Sequence, residues 1–180
     1  MKRNGVVEMI DESAVDGGTQ RPGYFRGPVF LHPDLEFQYR FPEGWATWNG
    51  GHAVIGLSSA QDAIIKLRVA PGTPPEAAES FFGQPGLAAD NISPNNINGL
   101  PATTGEFSAQ TEQGTVRGIA TFIAHGGATY EVTAISTWNE FDSYESAFRR
   151  SITTFDRLNE LGMHAAAAGA IHPYRGWPQP

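Results

Sequence analysis

The feature that most limits the fold is a series of glycine turns at hairpin spacing in the C-terminal half. Asn98-Gly99, Gln113-Gly114 and Gly126-Gly127 separate three runs that read as strands, 102–110, 115–124 and 128–136. Glycine takes positive φ without steric cost, and two-residue turns built on such angles fold a twisted strand back onto its neighbour. Runs joined this tightly pair antiparallel, because a parallel crossover needs a dozen or more residues. The middle run carries apolar residues on both faces. Val116, Ala120 and Phe122 oppose Ile119 and Ile123, the pattern of a central strand covered on two sides.

The same reading extends towards the N-terminus. Leu35, Phe37, Tyr39 and Phe41 alternate with Glu36, Gln38 and Arg40, a period of two that marks a half-buried strand. Pro42-Glu43-Gly44 ends it with turn residues. Short strands follow at 45–48 and 53–57 around Asn49-Gly50-Gly51, and a turn at 58–62 leads to a fourth at 63–69. Thr73, Pro74 and Glu76 form a capping box with proline at the first helical position. The helix they start has Ala77, Ala78, Phe81 and Phe82 on its apolar face and ends at Gly83. Residues 85–98 read as a long polar connection. Phe141, Tyr144, Phe148, Ile152, Phe155, Leu158 and Leu161 recur every three or four residues, predicting a closing amphipathic helix with Gly162 just past its end. Glu145 and Arg149 sit one turn apart on it, and Arg149-Arg150 reads as a solvated face.

The expected order is four strands, a helix, three strands and a helix. That is an α+β domain: a mostly antiparallel sheet of six to seven strands with two main helices. The expected division is a flexible lead-in at 1–22 with a short ordered piece at 6–10, the domain at 23–162, and a loose tail at 163–180.

Charge and residue content exclude several functions. Nineteen acids against 12 bases give a net charge of -7 over 180 residues, which argues against nucleic acid as a partner, since phosphate binding needs a basic footprint. The chain has no cysteine, so disulfides, thiolate metal sites and cysteine nucleophiles are ruled out. No apolar run approaches the roughly 20 residues of a spanning helix, so no direct membrane insertion is expected.

Compact catalytic signatures are missing as well. A metalloprotease helix needs two histidines four apart with a glutamate beside the first. Here the residues after the five histidines are Pro33, Ala53, Gly126, Ala165 and Pro173. Gly56-Leu57-Ser58-Ser59-Ala60 falls short of a nucleophile elbow, lacking both the last glycine and the following helix, so Ser58 reads as a turn residue. Neither lysine follows a glycine, so there is no phosphate-cradling loop. No catalytic residue, metal ligand or cofactor site is assigned. His32, Trp45, Trp48 and Trp138 remain as candidate contacts for a ligand or partner. The ordinary alternatives are a local hydrogen bond for His32 and a core anchor for Trp45.

The block Gly23-Tyr-Phe-Arg26-Gly27-Pro-Val-Phe30-Leu-His32-Pro33-Asp-Leu35-Glu-Phe37, continuing to Pro42-Glu43-Gly44-Trp45, resembles the segment that follows the catalytic domain in bacterial predicted zinc peptidases related to the CAAX prenyl proteases. Residues 74–78, 97–102, 110–114 and 144–155 resemble later parts of the same region. The early Pro-x-Gly-Trp turn and long closing helix also look like the PsbP-like fold. The resemblance implies a non-catalytic accessory domain that binds protein, a zinc peptidase among its partners, in the cell envelope or periplasm. The zinc ligands of that family have no counterpart here. Two rival readings fit the same residues. One is a stand-alone enzyme with a dispersed site, which requires a deep polar pocket. The other is a scaffold subunit of an oligomer.

Overall fold

Each expected glycine turn is a tight reversal, and the chain they shape is described by a computed structural model over residues 23–158. Strands β1 (Tyr24–Arg26), β2 (Val29–His32), β3 (Phe37–Arg40), β4 (Ala46–Asn49), β5 (Val54–Leu57) and β6 (Ala63–Ala70) precede helix α1 (Pro74–Phe82). Then come β7 (Leu87–Ile97), β8 (Leu100–Thr111), β9 (Gly114–His125) and β10 (Ala128–Thr137). A 3-10 turn at Trp138–Glu140 leads into α2 (Phe141–Ile152), and β11 (Asp156–Arg157) closes the described chain. Asn98 and Gly99 take φ of 51° and 82°, and Gly126 and Gly127 take 60° and 81°, as two-residue hairpin loops require.

The strands form a seven-stranded sheet, β4-β5-β6-β10-β9-β8-β7, and a four-stranded sheet, β1-β2-β3-β11. All their pairings are antiparallel. The α+β reading therefore holds, with a second small sheet added. The short strands β1 and β2 carry too few residues to show a period.

The small sheet and α2 cover one face of the large sheet. Phe37, Tyr39, Phe41, Phe141, Phe148 and Phe155 pack there against Ile65, Leu67, Ile119, Ile123 and Val132. On the other face α1 sets Ala77, Ala78, Phe81 and Phe82 against Phe107, Val116, Ala120 and Phe122. The two apolar faces of β9 thus enter separate cores, as its sequence requires. At Gly105 the helix comes so near that an added Cβ would lie 2.6 Å from the Phe82 ring.

Two expectations are corrected. Residues 85–98 are not a connection: Leu87–Ile97 is an edge strand paired with β8 along its length, with a bulge between Asp90 and Ser93. Its side chains from Ala88 to Asn96 are exposed on both faces, so no burial pattern could mark it. Pro94 and the bulge also blunt an otherwise open edge. The closing helix, expected to reach Leu161, stops at Ile152. Thr154 Oγ donates to the Ser151 carbonyl (2.6 Å) and accepts from Arg40 N–H (2.8 Å). Asn98 Nδ2 donates to the Thr153 and Phe155 carbonyls at 2.9 and 2.8 Å. These bonds satisfy the freed helix end and turn the chain into β11. Phe155 and Leu158 still reach the core, which is why their spacing imitates a helix. Leu161, Gly162, the lead-in, its ordered piece and the tail lie outside the described residues.

The capping box at Thr73 is present in both directions. Thr73→Ala is expected to lower stability by about 1 kcal/mol, read as a shift in the urea midpoint.

Buried phenols predict a second effect. Burial pushes the Tyr130 hydroxyl up to about 12 and raises Tyr39 further. At alkaline pH the folded state then holds more protons than the unfolded state, so stability falls as pH rises. For Tyr130 the loss runs from 10.0 to about 12. Denaturant midpoints measured across that window should fall, and Tyr130→Phe should flatten the slope.

Candidate functional site

The Pro42-Glu43-Gly44 turn, with Gly44 at φ 80°, delivers Trp45 onto α2. The indole stands edge-on to Tyr144 and Phe148, with ring centroids 5.9 and 6.3 Å away. Between turn and helix lies a cleft of about 560 Å3. Phe41, Pro42, Glu43 and Trp45 line it from the turn, Ser143, Tyr144, Ala147, Arg150 and Ser151 from α2, with Arg40 and Thr154 completing the wall.

The frame of the cleft is fixed by hydrogen bonds. The Ser151 hydroxyl donates to the Arg40 carbonyl at 2.6 Å and lies 2.8 Å from the buried Tyr39 hydroxyl. The Tyr144 hydroxyl donates to Asp62, and burial together with that carboxylate raises its pKa. The cleft's charges are held more loosely. Arg40 pairs with Glu43 at 3.3 Å, and the Glu43 side chain is 79% exposed. The Arg150 side chain makes no hydrogen bond or ion pair among the described residues.

The other candidates lie apart from this cleft. His32 is buried, stacks on Phe37 at 5.6 Å, and accepts the Leu35 N–H on Nδ1 at 3.2 Å. Burial lowers its pKa. Trp48 is exposed on edge strand β4, opposite Ile55. Trp138 is 51% exposed at a second cleft of about 480 Å3 that runs from Gln113 to Glu140. The Arg117 guanidinium lies 5.7 Å from its ring and 4.2 Å from that of Phe141. Both clefts are open at the surface. Of the four sequence candidates only Trp45 lines this cleft, and Arg40, Tyr144 and Arg150, which line it too, were not among them. The available signal was the spacing of Ser143, Ala147 and Arg150 on α2, with Thr154 just past its end, a stripe of small and polar residues flanking the apolar face.

Two side chains with chemical potential elsewhere, Ser58 and His125, are committed to structure. Ser58 accepts from the Asp62 and Ala63 N–H groups and donates to Asp62 at 3.0 Å, as a turn residue does. His125 Nε2 donates to the Leu35 and Glu36 carbonyls at 3.1 and 3.0 Å, which ties the β2–β3 turn to β9. Among the described residues no three His, Cys, Asp or Glu side chains gather as metal ligands would. No described helix is long and apolar enough to cross a membrane.

No family profile matches the chain, and no curated protein sequence matches it. Solved structures do. The solution structure of cyanobacterial PsbP (CyanoP) from Synechocystis sp. PCC 6803 superposes with a TM-score of 0.56 at 14% identity, covering 82% of this chain and 99% of that one. The fold is PsbP-like. A Bacteroides thetaiotaomicron structure matches the PsbP-like domain with a TM-score of 0.55 at 15% identity, over 76% of this chain and half (50%) of that one. A protein of unknown function from Pseudomonas aeruginosa, PA94, matches at 0.50 and 18% identity over 77% of this chain and 99% of its own. At these identities the PsbP-like likeness concerns the fold alone.

Proposed function

We propose that this PsbP-like domain is non-catalytic and acts by binding a protein partner in the Trp45 cleft, as an accessory domain to an envelope zinc peptidase. The observation that carries the reading is the make-up of that cleft. It joins an indole, a phenol and two arginines, the side chains that dominate binding energy at protein interfaces. The block that resembles the peptidase-associated region supplies one wall, through Pro42-Glu43-Gly44-Trp45. Ser58, His32 and His125, the obvious nucleophile and bases, are each engaged by neighbouring backbone groups. The function is therefore assigned to contact rather than turnover.

The test is an assay of purified protein for bound zinc and for casein hydrolysis. The expected result is less than stoichiometric zinc and no cleavage. Stoichiometric zinc with chelator-sensitive cleavage would overturn the proposal.

A further inference from the structure

We propose that the ligand of the Trp45 cleft is an acidic peptide segment, with a carboxylate received by Arg150 and an adjacent apolar side chain laid on Trp45. This rests on reading the cleft as the partner-binding surface. Three observations carry it.

The first is the state of Arg150. It lines the cleft and has no acidic partner among the described residues. Its neighbour Arg149 shows the contrast. One position earlier on α2, Arg149 is bound by Glu145 at 3.0 Å and faces Glu106 at 3.8 Å. Adjacent residues on a helix point about 100° apart, since 3.6 residues make a turn. The pair is thus divided between an internal ion network and the cleft.

The second is the residue type. A guanidinium offers a planar fork of donors that matches a carboxylate on two bonds. Arg40 and Arg150 are the only cations of the cleft lining, against the single carboxylate of Glu43, so the cleft carries a local excess of positive charge. They stand out in a chain of net charge -7. The apolar requirement comes from Trp45 and Ala147, which share the cleft with them.

The third is Glu43. It holds Arg40 from within the cleft lining, through a single exposed bond of 3.3 Å. An exposed pair of this kind is weak, because solvent screens it on every side. Glu43 therefore stands in for the ligand's carboxylate, and an acidic segment competes with it for Arg40.

A display library of random heptapeptides, selected against the full chain, tests this. Enriched peptides are then synthesised and titrated by calorimetry against wild type, Arg150→Gln and Glu43→Gln. Both positions are exposed, so the fold is kept, and unchanged thermal melts verify it. The expected peptides carry Asp or Glu beside an apolar residue. Arg150→Gln weakens them about tenfold, the size of a lost charge-assisted bond at a surface. Glu43→Gln tightens them, and added salt weakens them. Acidic peptides whose affinity ignores Arg150 would overturn the inference. So would enriched neutral peptides, which would leave the partner-binding role standing. Failure to enrich any peptide would overturn both.

Discussion

Phe148→Ala is expected to remove about 3–5 kcal/mol of folding stability, the usual cost of emptying a buried phenylalanine site. Phe148 is fully buried where α2 meets the sheets. Its ring contacts Trp45, Phe141 and Tyr144, with centroids 6.3, 6.1 and 5.8 Å away. These neighbours come from a turn and from the helix itself, so no single side chain can swing in to refill the space. A typical domain holds only about 5–15 kcal/mol in total, so the variant should sit near the edge of folding. Urea unfolding followed by far-ultraviolet circular dichroism measures it. A loss under about 1 kcal/mol would mean that α2 is not the clamp described here. Phe148 also backs Trp45, so the variant should loosen the cleft wall along with the core.

Removing Arg68 should cost more than its exposed position suggests. Its Nε donates to Glu131 at 2.9 Å, and the Glu131 side chain is only 4% exposed, on the sheet face that carries α1. The remaining bond to that carboxylate is the Thr133 hydroxyl at 3.0 Å. Arg68→Leu therefore leaves a charge in the interior with half its partners, a loss of about 3 kcal/mol. The double variant Arg68→Leu, Glu131→Leu should recover most of it, because replacing a buried pair by apolar residues is often neutral. A double-mutant cycle on urea midpoints reads the coupling directly. Additive losses would show that the pair does not act as a unit.

These expectations depend on packing, which is also what decided how far the sequence could be read. Where burial alternates, the residues declare the element. Phe37, Tyr39 and Phe41 point inwards while Arg40 does not, and Thr73 with Glu76 starts α1 as expected. Edge strand β7 was invisible, because its side chains are solvated on both faces and its order comes from backbone pairing with β8. The end of α2 was misplaced for the opposite reason. Phe155 and Leu158 continue the apolar spacing, while the bonds that stop the helix come from Asn98 and Arg40, distant in sequence. The cleft was half legible. Trp45 follows a recognisable turn, yet its partners lie about a hundred residues on, and only α2 docking brings Tyr144 and Arg150 beside it. No local pattern separates Arg150 in the cleft from Arg149 in an ion network.

If partners dock at Trp45, its indole N–H resonance should report their arrival. The chain has four tryptophans. Trp48 and Trp138 lie outside this cleft, so single substitutions can assign each signal. In a nitrogen-15 correlation spectrum, adding the selected acidic peptide should move the Trp45 indole signal and leave those of Trp48 and Trp138 in place. Movement of Trp48 or Trp138 with Trp45 unchanged would place docking away from this cleft and rule out the Trp45 surface.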